Sequence, residues 1–127
     1  MPITLNRGLI LFAHGSRDPG WAEPFERLRA KIESVRPGLP VALAYLELMT
    51  PDLGAAVDRM VAAGCDHVRV VPVFLGQGGH VRRDLPELID RAAARHGGLA
   101  IELAPPLGEH EAVLEQMAAV CVDGLPG

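Results

Sequence analysis

Three features of the sequence predict an α/β fold with a mainly parallel four-stranded sheet flanked by helices. Short continuous apolar runs alternate with helical stripes, the alternation repeats four times, and Gly- and Pro-rich turns mark the junctions. At 127 residues the chain is sized for one domain, residues 1–127, with a core that needs neither disulfides nor structural metal.

Residues 9–13 form an apolar run without alternation, as in a strand buried on both faces, and end at His14-Gly15-Ser16. Beyond Asp18-Pro19-Gly20, the residues Trp21, Phe25, Leu28, Ile32 and Val35 recur at helical spacing. Pro24 lies in the first turn and Pro37-Gly38 is the stop. Residues 41–46 make the second strand, followed by Glu47. Thr50-Pro51 then reads as an N-cap and first-turn proline for a helix with the stripe Leu53, Val57, Met60 and Val61, closed by Gly64. The third strand, residues 68–75, breaks at Gly76-Gln77-Gly78-Gly79-His80. Asp84-Leu85-Pro86-Glu87 reads as a capped helix start, with Leu85, Leu88, Ile89 and Ala92 facing inward and Gly97-Gly98 as the end. A weaker fourth strand, residues 99–104, leads through Pro105-Pro106-Leu107-Gly108 to a last helix. Its stripe is Val113, Leu114, Met117 and Val120 or Cys121. Crossovers in such a chain are right-handed, and a sheet this small leaves room for a second subunit at an edge.

Twelve Lys and Arg against sixteen Asp and Glu leave a net charge of −4, so no basic field is available for a nucleic-acid backbone. Aromatic residues make up only 4%, which implies an aliphatic core and no stacking platform for bases. No apolar run is long enough to span a bilayer and Met1–Arg7 lacks a secretory layout, so a cytoplasmic protein without membrane partners is expected. Cys65 and Cys121 share no metal spacing and are expected to be small buried hydrophobes in or at the ends of helices.

Open parallel sheets bind ligands beyond the carboxyl ends of their strands, where loops and helix N-termini converge. That rule selects His14 after strand one, Glu47 after strand two, His80 after strand three and the Pro105-Pro106 turn after strand four. A pair of imidazoles suits Co, Fe, Ni or Zn, and a nearby carboxylate can complete the set or accept protons. Arg17, Arg82 and Arg83 flank the two histidine loops and suit a polycarboxylate ligand. Asp84 reads as a helix cap. His67 lies at the amino end of a strand, His96 at a helix C-terminus, and His110 at the start of the last helix on the functional edge. The glycine loop lacks the spacing of a nucleotide-phosphate cradle. An arginine directly before His14 would suggest a histidine phosphatase, but Ala13 stands there.

Residues 13–19, Ala-His-Gly-Ser-Arg-Asp-Pro, and residues 74–86, Phe-Leu-Gly-Gln-Gly-Gly-His-Val-Arg-Arg-Asp-Leu-Pro, together resemble the small CbiX/SirB class of sirohydrochlorin chelatases. Tyr45-Leu46-Glu47 with Thr50-Pro51, and residues 105–110, fall where that family has its second- and fourth-strand loops. The resemblance implies a three-layer chelatase-like (flavodoxin-like) fold. It also implies insertion of Co²⁺ for cobalamin, or Fe²⁺ for sirohaem, into sirohydrochlorin without ATP, with no cofactor beyond the substrate metal (Co²⁺, Fe²⁺ or Ni²⁺). By matching motifs, His14 and His80 are the metal-binding and catalytic pair, one of them also serving as base, with Glu47 assisting. Ser16, Arg17, Gly78, Gly79, Arg82 and Arg83 are the residues expected to meet substrate. The one-unit length resembles the short form that pairs as a homodimer, and the histidine-rich tract of some relatives is missing. The alternative function is a metal or tetrapyrrole binding module on the same fold that does not turn over.

Overall fold

In the computed structural model, which describes residues 6–127, the strands β1 (Arg7–Ala13), β2 (Val41–Tyr45), β3 (His67–Pro72) and β4 (Ala100–Leu103) form one sheet. The secretory layout considered for Met1–Arg7 falls largely outside those residues. The strand order is β2-β1-β3-β4 and every pair is parallel, with Ala13 beside Tyr45 and Phe12 beside Pro72. In this order the chain reverses direction across the sheet between β1 and β3, so the crevice lies between their carboxyl ends.

Helices α1 (Glu23–Val35), α2 (Leu53–Ala62), α3 (Gly79–Ala94) and α4 (Glu111–Val122) follow the four strands, with short 3₁₀ turns η1 (Pro19–Ala22) and η2 (Leu107–Glu109) before α1 and α4. Side chains alternate along the strands and feed two cores. Ile10, Phe12, Val68 and Val70 meet α2 and α3 on one face, and Leu11, Leu43, Tyr45 and Val71 meet α1 on the other. The first core is the drier, with Ile10, Phe12, Val57 and Val70 all at 0% exposure. Burying side chains of this kind is worth roughly 1.5–3 kcal/mol each.

Several expected boundaries move. The third strand stops at Pro72, although the Val73 amide still donates to the Phe12 carbonyl at 2.8 Å. Helix α3 starts at Gly79, more than a turn before Asp84, because Val81 and Leu85, one turn apart, both reach the core. Pro86, read as a first-turn marker, therefore lies inside the helix, and Asp84 caps nothing. Asp52, not Thr50, caps α2: its Oδ1 accepts the Ala55 amide at 2.9 Å, while the Pro51 carbonyl accepts the Tyr45 amide and so belongs to the strand-end loop.

Cys65 is buried as expected, in the turn between α2 and β3, and its thiol pKa is raised by burial and by Asp66. Cys121 is exposed, contrary to expectation, because no residue of α4 is buried. At the amino end of the sheet His67 pairs with Asp66. His96, just past α3, lies 2.7 Å from Asp58 of α2, which also takes Arg95 at 2.6 Å.

Candidate metal-insertion site at the carboxyl edge of the sheet

The parallel ladder between β1 and β2 continues past both strands. Leu46 donates to the Ala13 carbonyl at 2.9 Å and Glu47 to the His14 carbonyl at 3.1 Å, which ties the backbones of the two predicted site residues together. Gly15 makes this closure possible. Its φ is +94°, and a Cβ built there would run into the Glu47 carbonyl oxygen. Leu48, next to Glu47, is held at φ +68°, an uncommon conformation for leucine.

The exposed His14 ring lies against buried Phe74 from the β3–α3 loop, with centroids 4.2 Å apart and planes 25° from parallel. Phe74 is itself braced edge-on by Phe12, at 6.1 Å and 62°. A ring stacked by one face keeps its nitrogens at the free edge, so Phe74 sets the plane in which His14 presents them.

His80 occupies the first turn of α3 with its side chain 82% exposed, and its Nε2 donates to Asp84 Oδ2 at 3.0 Å, one turn along the helix. In the neutral ring this bond leaves the lone pair on Nδ1. The glycine loop leaves this edge uncluttered, since a Cβ at Gly76, Gly78 or Gly79 would meet nothing within 4 Å. Gly108 of η2 closes the other side: its amide donates to the Phe74 carbonyl at 2.8 Å, and a Cβ there would overlap the Leu75 carbonyl.

The remaining predicted contacts are distributed along the same edge. Ser16 Oγ accepts the Asp18 amide at 3.1 Å and so orders its loop. Arg17 and Arg82 are exposed, and Arg83 Nε donates to the Gly79 carbonyl at 3.2 Å. His110 caps α4 through its backbone position. The structure thus ties His14 to Glu47 through the backbone and sets His80 in the first turn of α3, after the β3–α3 loop. Among the described residues, however, no three His, Cys, Asp or Glu side chains converge as a metal cage. A cavity of about 240 Å³ between α2 and α3, lined by Leu46, Asp52, Arg91 and Arg95 among others, contains neither histidine.

Sequence reasoning missed the supporting pair. Asp84 could have been found from its i,i+4 spacing to His80 had the helix been started at Gly79. The approach of Phe74 to His14 is a tertiary contact across the crevice and leaves no local signal.

Residues 8–122 match the family model described as CbiX. The chain belongs to the CbiX family. It is 33% identical over 117 residues to the sirohydrochlorin cobaltochelatase of Saccharolobus solfataricus, spanning 85% of this chain and 88% of that protein. It is 27% identical to the sirohydrochlorin ferrochelatase of Bacillus subtilis, spanning 87% of this chain but 42% of that one. Among solved structures, a CbiX protein from Marinobacter aquaeolei superposes with a TM-score of 0.81 at 38% identity, over 94% of this chain and 97% of the other. The chelatase SirB from Bacillus subtilis subspecies spizizenii, solved with cobalt, superposes at 0.75 and 27% identity, over 94% and 51%. The three-layer CbiX architecture is thus the one the sheet and its helices adopt.

Proposed function

We propose that this CbiX-family chain is a sirohydrochlorin chelatase, inserting Co²⁺ or Fe²⁺ into the macrocycle without ATP, as one domain acting in a cytoplasmic homodimer. The observation that carries the reading is the pair of buttressed imidazoles beside the crevice: His14 stacked on Phe74 and His80 held by Asp84. The names of the relatives, among them cobalto- and ferrochelatases, supply the substrate.

Insertion replaces water on the ion with pyrrole nitrogens and releases two pyrrole protons as two metal–nitrogen bonds form. His14 and His80 hold the incoming ion through ring lone pairs. A lone pair bound to metal cannot take a proton, so proton removal follows transfer of the ion, when one imidazole is free again. Glu47, tied to His14 through the backbone, assists in proton removal. Arg17, Arg82 and Arg83 pair with carboxylates of the substrate. Ser16, Gly78 and Gly79 form its contact surface, the glycines because they leave room for a flat ring to approach backbone.

The test is anaerobic absorption spectroscopy of sirohydrochlorin with Co²⁺ or Fe²⁺ and substoichiometric protein. Product in excess of protein supports a chelatase. Product that stops at one equivalent identifies a binding module instead.

A further inference from the structure

The first two turns of α3, residues 79–85, carry His80, and the local rules of helix formation are broken there repeatedly. The N-cap is Gly78, which has no side chain to cap with, and a second glycine opens the helix. No acidic residue lies in the first turn, and Arg82 and Arg83 follow directly, although the helix dipole disfavours positive charge at this end. Pro86 then stands in the helix interior. It offers no amide to the Arg82 carbonyl one turn back, and its ring crowds that carbonyl. Residues 87–94, Glu-Leu-Ile-Asp-Arg-Ala-Ala-Ala, break none of these rules, and Arg91 lies favourably in the last turn. The faults are therefore confined to the part of α3 that holds the site histidine.

The same segment is fastened at its ends and loose between them. On one side the Gly108 amide of η2 holds the Phe74 carbonyl at 2.8 Å. On the other, Leu85 is 1% exposed and Ile89 is buried with it. Between Leu75 and Leu85 the chain passes through Gly76-Gln77-Gly78-Gly79, and Val81 is the one buried residue. The polar contacts of residues 79–85 stay within α3 and its cap: His80 with Asp84, Arg83 with the Gly79 carbonyl, and the Arg82 amide with the Gly78 carbonyl. Pro86 itself is exposed, so its ring fills no core space.

We infer that Pro86 is a positioning residue: with the glycine loop it makes residues 79–85 a pivot about Leu85, swinging His80 between solvent, where the ion is met, and the crevice beside His14, where it is released. Swinging outward withdraws only Val81 from the core and leaves the buried stripe of Leu85, Ile89 and Ala92 in place. An unbroken α3 would move His80 only by moving that stripe as well, and a packed stripe does not deform continuously. The use of the pivot in insertion rests on the chelatase reading, whereas the pivot itself does not.

Amide hydrogen exchange, read by NMR on the intact chain without metal or tetrapyrrole, tests the pivot apart from chelatase activity. Corrected for intrinsic rates, the Asp84 and Leu85 amides should exchange at least about 30-fold faster than those of Arg91 and Ala92. Pro86→Ala restores the missing donor with a strong helix former, and should slow exchange at Asp84 and Leu85 at least about tenfold. The same variant should lower kcat for Co²⁺ insertion at least about fivefold and leave KM for sirohydrochlorin within about twofold. Pro86→Gly removes the ring but keeps a weak helix position, so it should retain fast exchange and at least about half of the wild-type kcat. Wild-type Asp84 and Leu85 amides as protected as those of Arg91 and Ala92 mean a continuous α3 and overturn the pivot. Full turnover by Pro86→Ala with slowed exchange, or an equal loss of turnover in both variants, overturns the positioning role of Pro86. A wild-type protein that exchanges as expected but does not turn over removes the chelatase reading and leaves the pivot standing.

Discussion

Replacing Gly15 with alanine tests the part of the site on which the rest depends. At φ +94° an L-residue is strained by roughly 1–2 kcal/mol, and the added Cβ meets the Glu47 carbonyl oxygen, which is backbone and cannot rotate away. To relieve the overlap the His14–Glu47 hydrogen bond of 3.1 Å must open, which adds about 1 kcal/mol. The sum is about 2–3 kcal/mol, or a urea midpoint lowered by roughly 1–2 M for a domain of this size. Gly76→Ala is the control: its Cβ meets nothing within 4 Å and its φ is ordinary, so stability should hold or rise by up to ~1 kcal/mol. Urea unfolding followed by circular dichroism reads both. If Gly15→Ala unfolds at the wild-type midpoint, Gly15 is a tolerant loop glycine and the clamp between His14 and Glu47 does not exist in solution.

Phe74→Leu keeps an apolar group in the core but removes the shelf under His14, so the rate of metal insertion should fall at least about tenfold for a stability loss of roughly 1–2 kcal/mol; a rate that falls no more than the folded fraction would show the stacking to be incidental. Asp84→Asn should slow insertion while changing stability by less than ~0.5 kcal/mol, since the His80–Asp84 pair is exposed, and unchanged turnover would remove Asp84 from the positioning of His80. Asp58 has its pKa lowered by the His96 hydrogen bond first and then by Arg95, so its contribution is present above its usual 3.8 and is lost as pH falls through the lowered folded value. Melting curves at pH 7 and pH 3 should therefore show Asp58→Asn less stable than wild type at pH 7, with the difference shrinking at pH 3; a difference that grows on acidification contradicts that sign.

Most of the architecture was legible because buried strands and helical stripes are local patterns. The runs at 9–13 and 41–46 and the stripe of α2 fall where their spacing puts them, whereas of the first-helix stripe Trp21 lies in η1 and Val35 is 85% exposed. The carboxyl-edge rule selects His14, Glu47 and His80 from the sequence, and the strand order sets the β1 and β3 loops beside the crevice. What failed depended on distant contacts. Pro86 looked like a helix start, and only the burial of Val81 against the sheet shows that the helix begins a turn and more earlier. Asp84 changed role with that boundary, from cap to the partner of His80. The stripe of α4 was read correctly as apolar, but a pattern that demands burial does not name the surface that provides it.

The central claim is that the two histidine loops carry out metal insertion, and the most direct measurement compares the protein with its His14→Ala/His80→Ala double variant. Both are mixed anaerobically at substoichiometric concentration with sirohydrochlorin and Co²⁺ or Fe²⁺, and the tetrapyrrole spectrum is followed with time. The account predicts repeated turnover by the intact protein and the uncatalysed rate for a folded double variant. Equal acceleration by both proteins would contradict it and place the chemistry elsewhere on the fold.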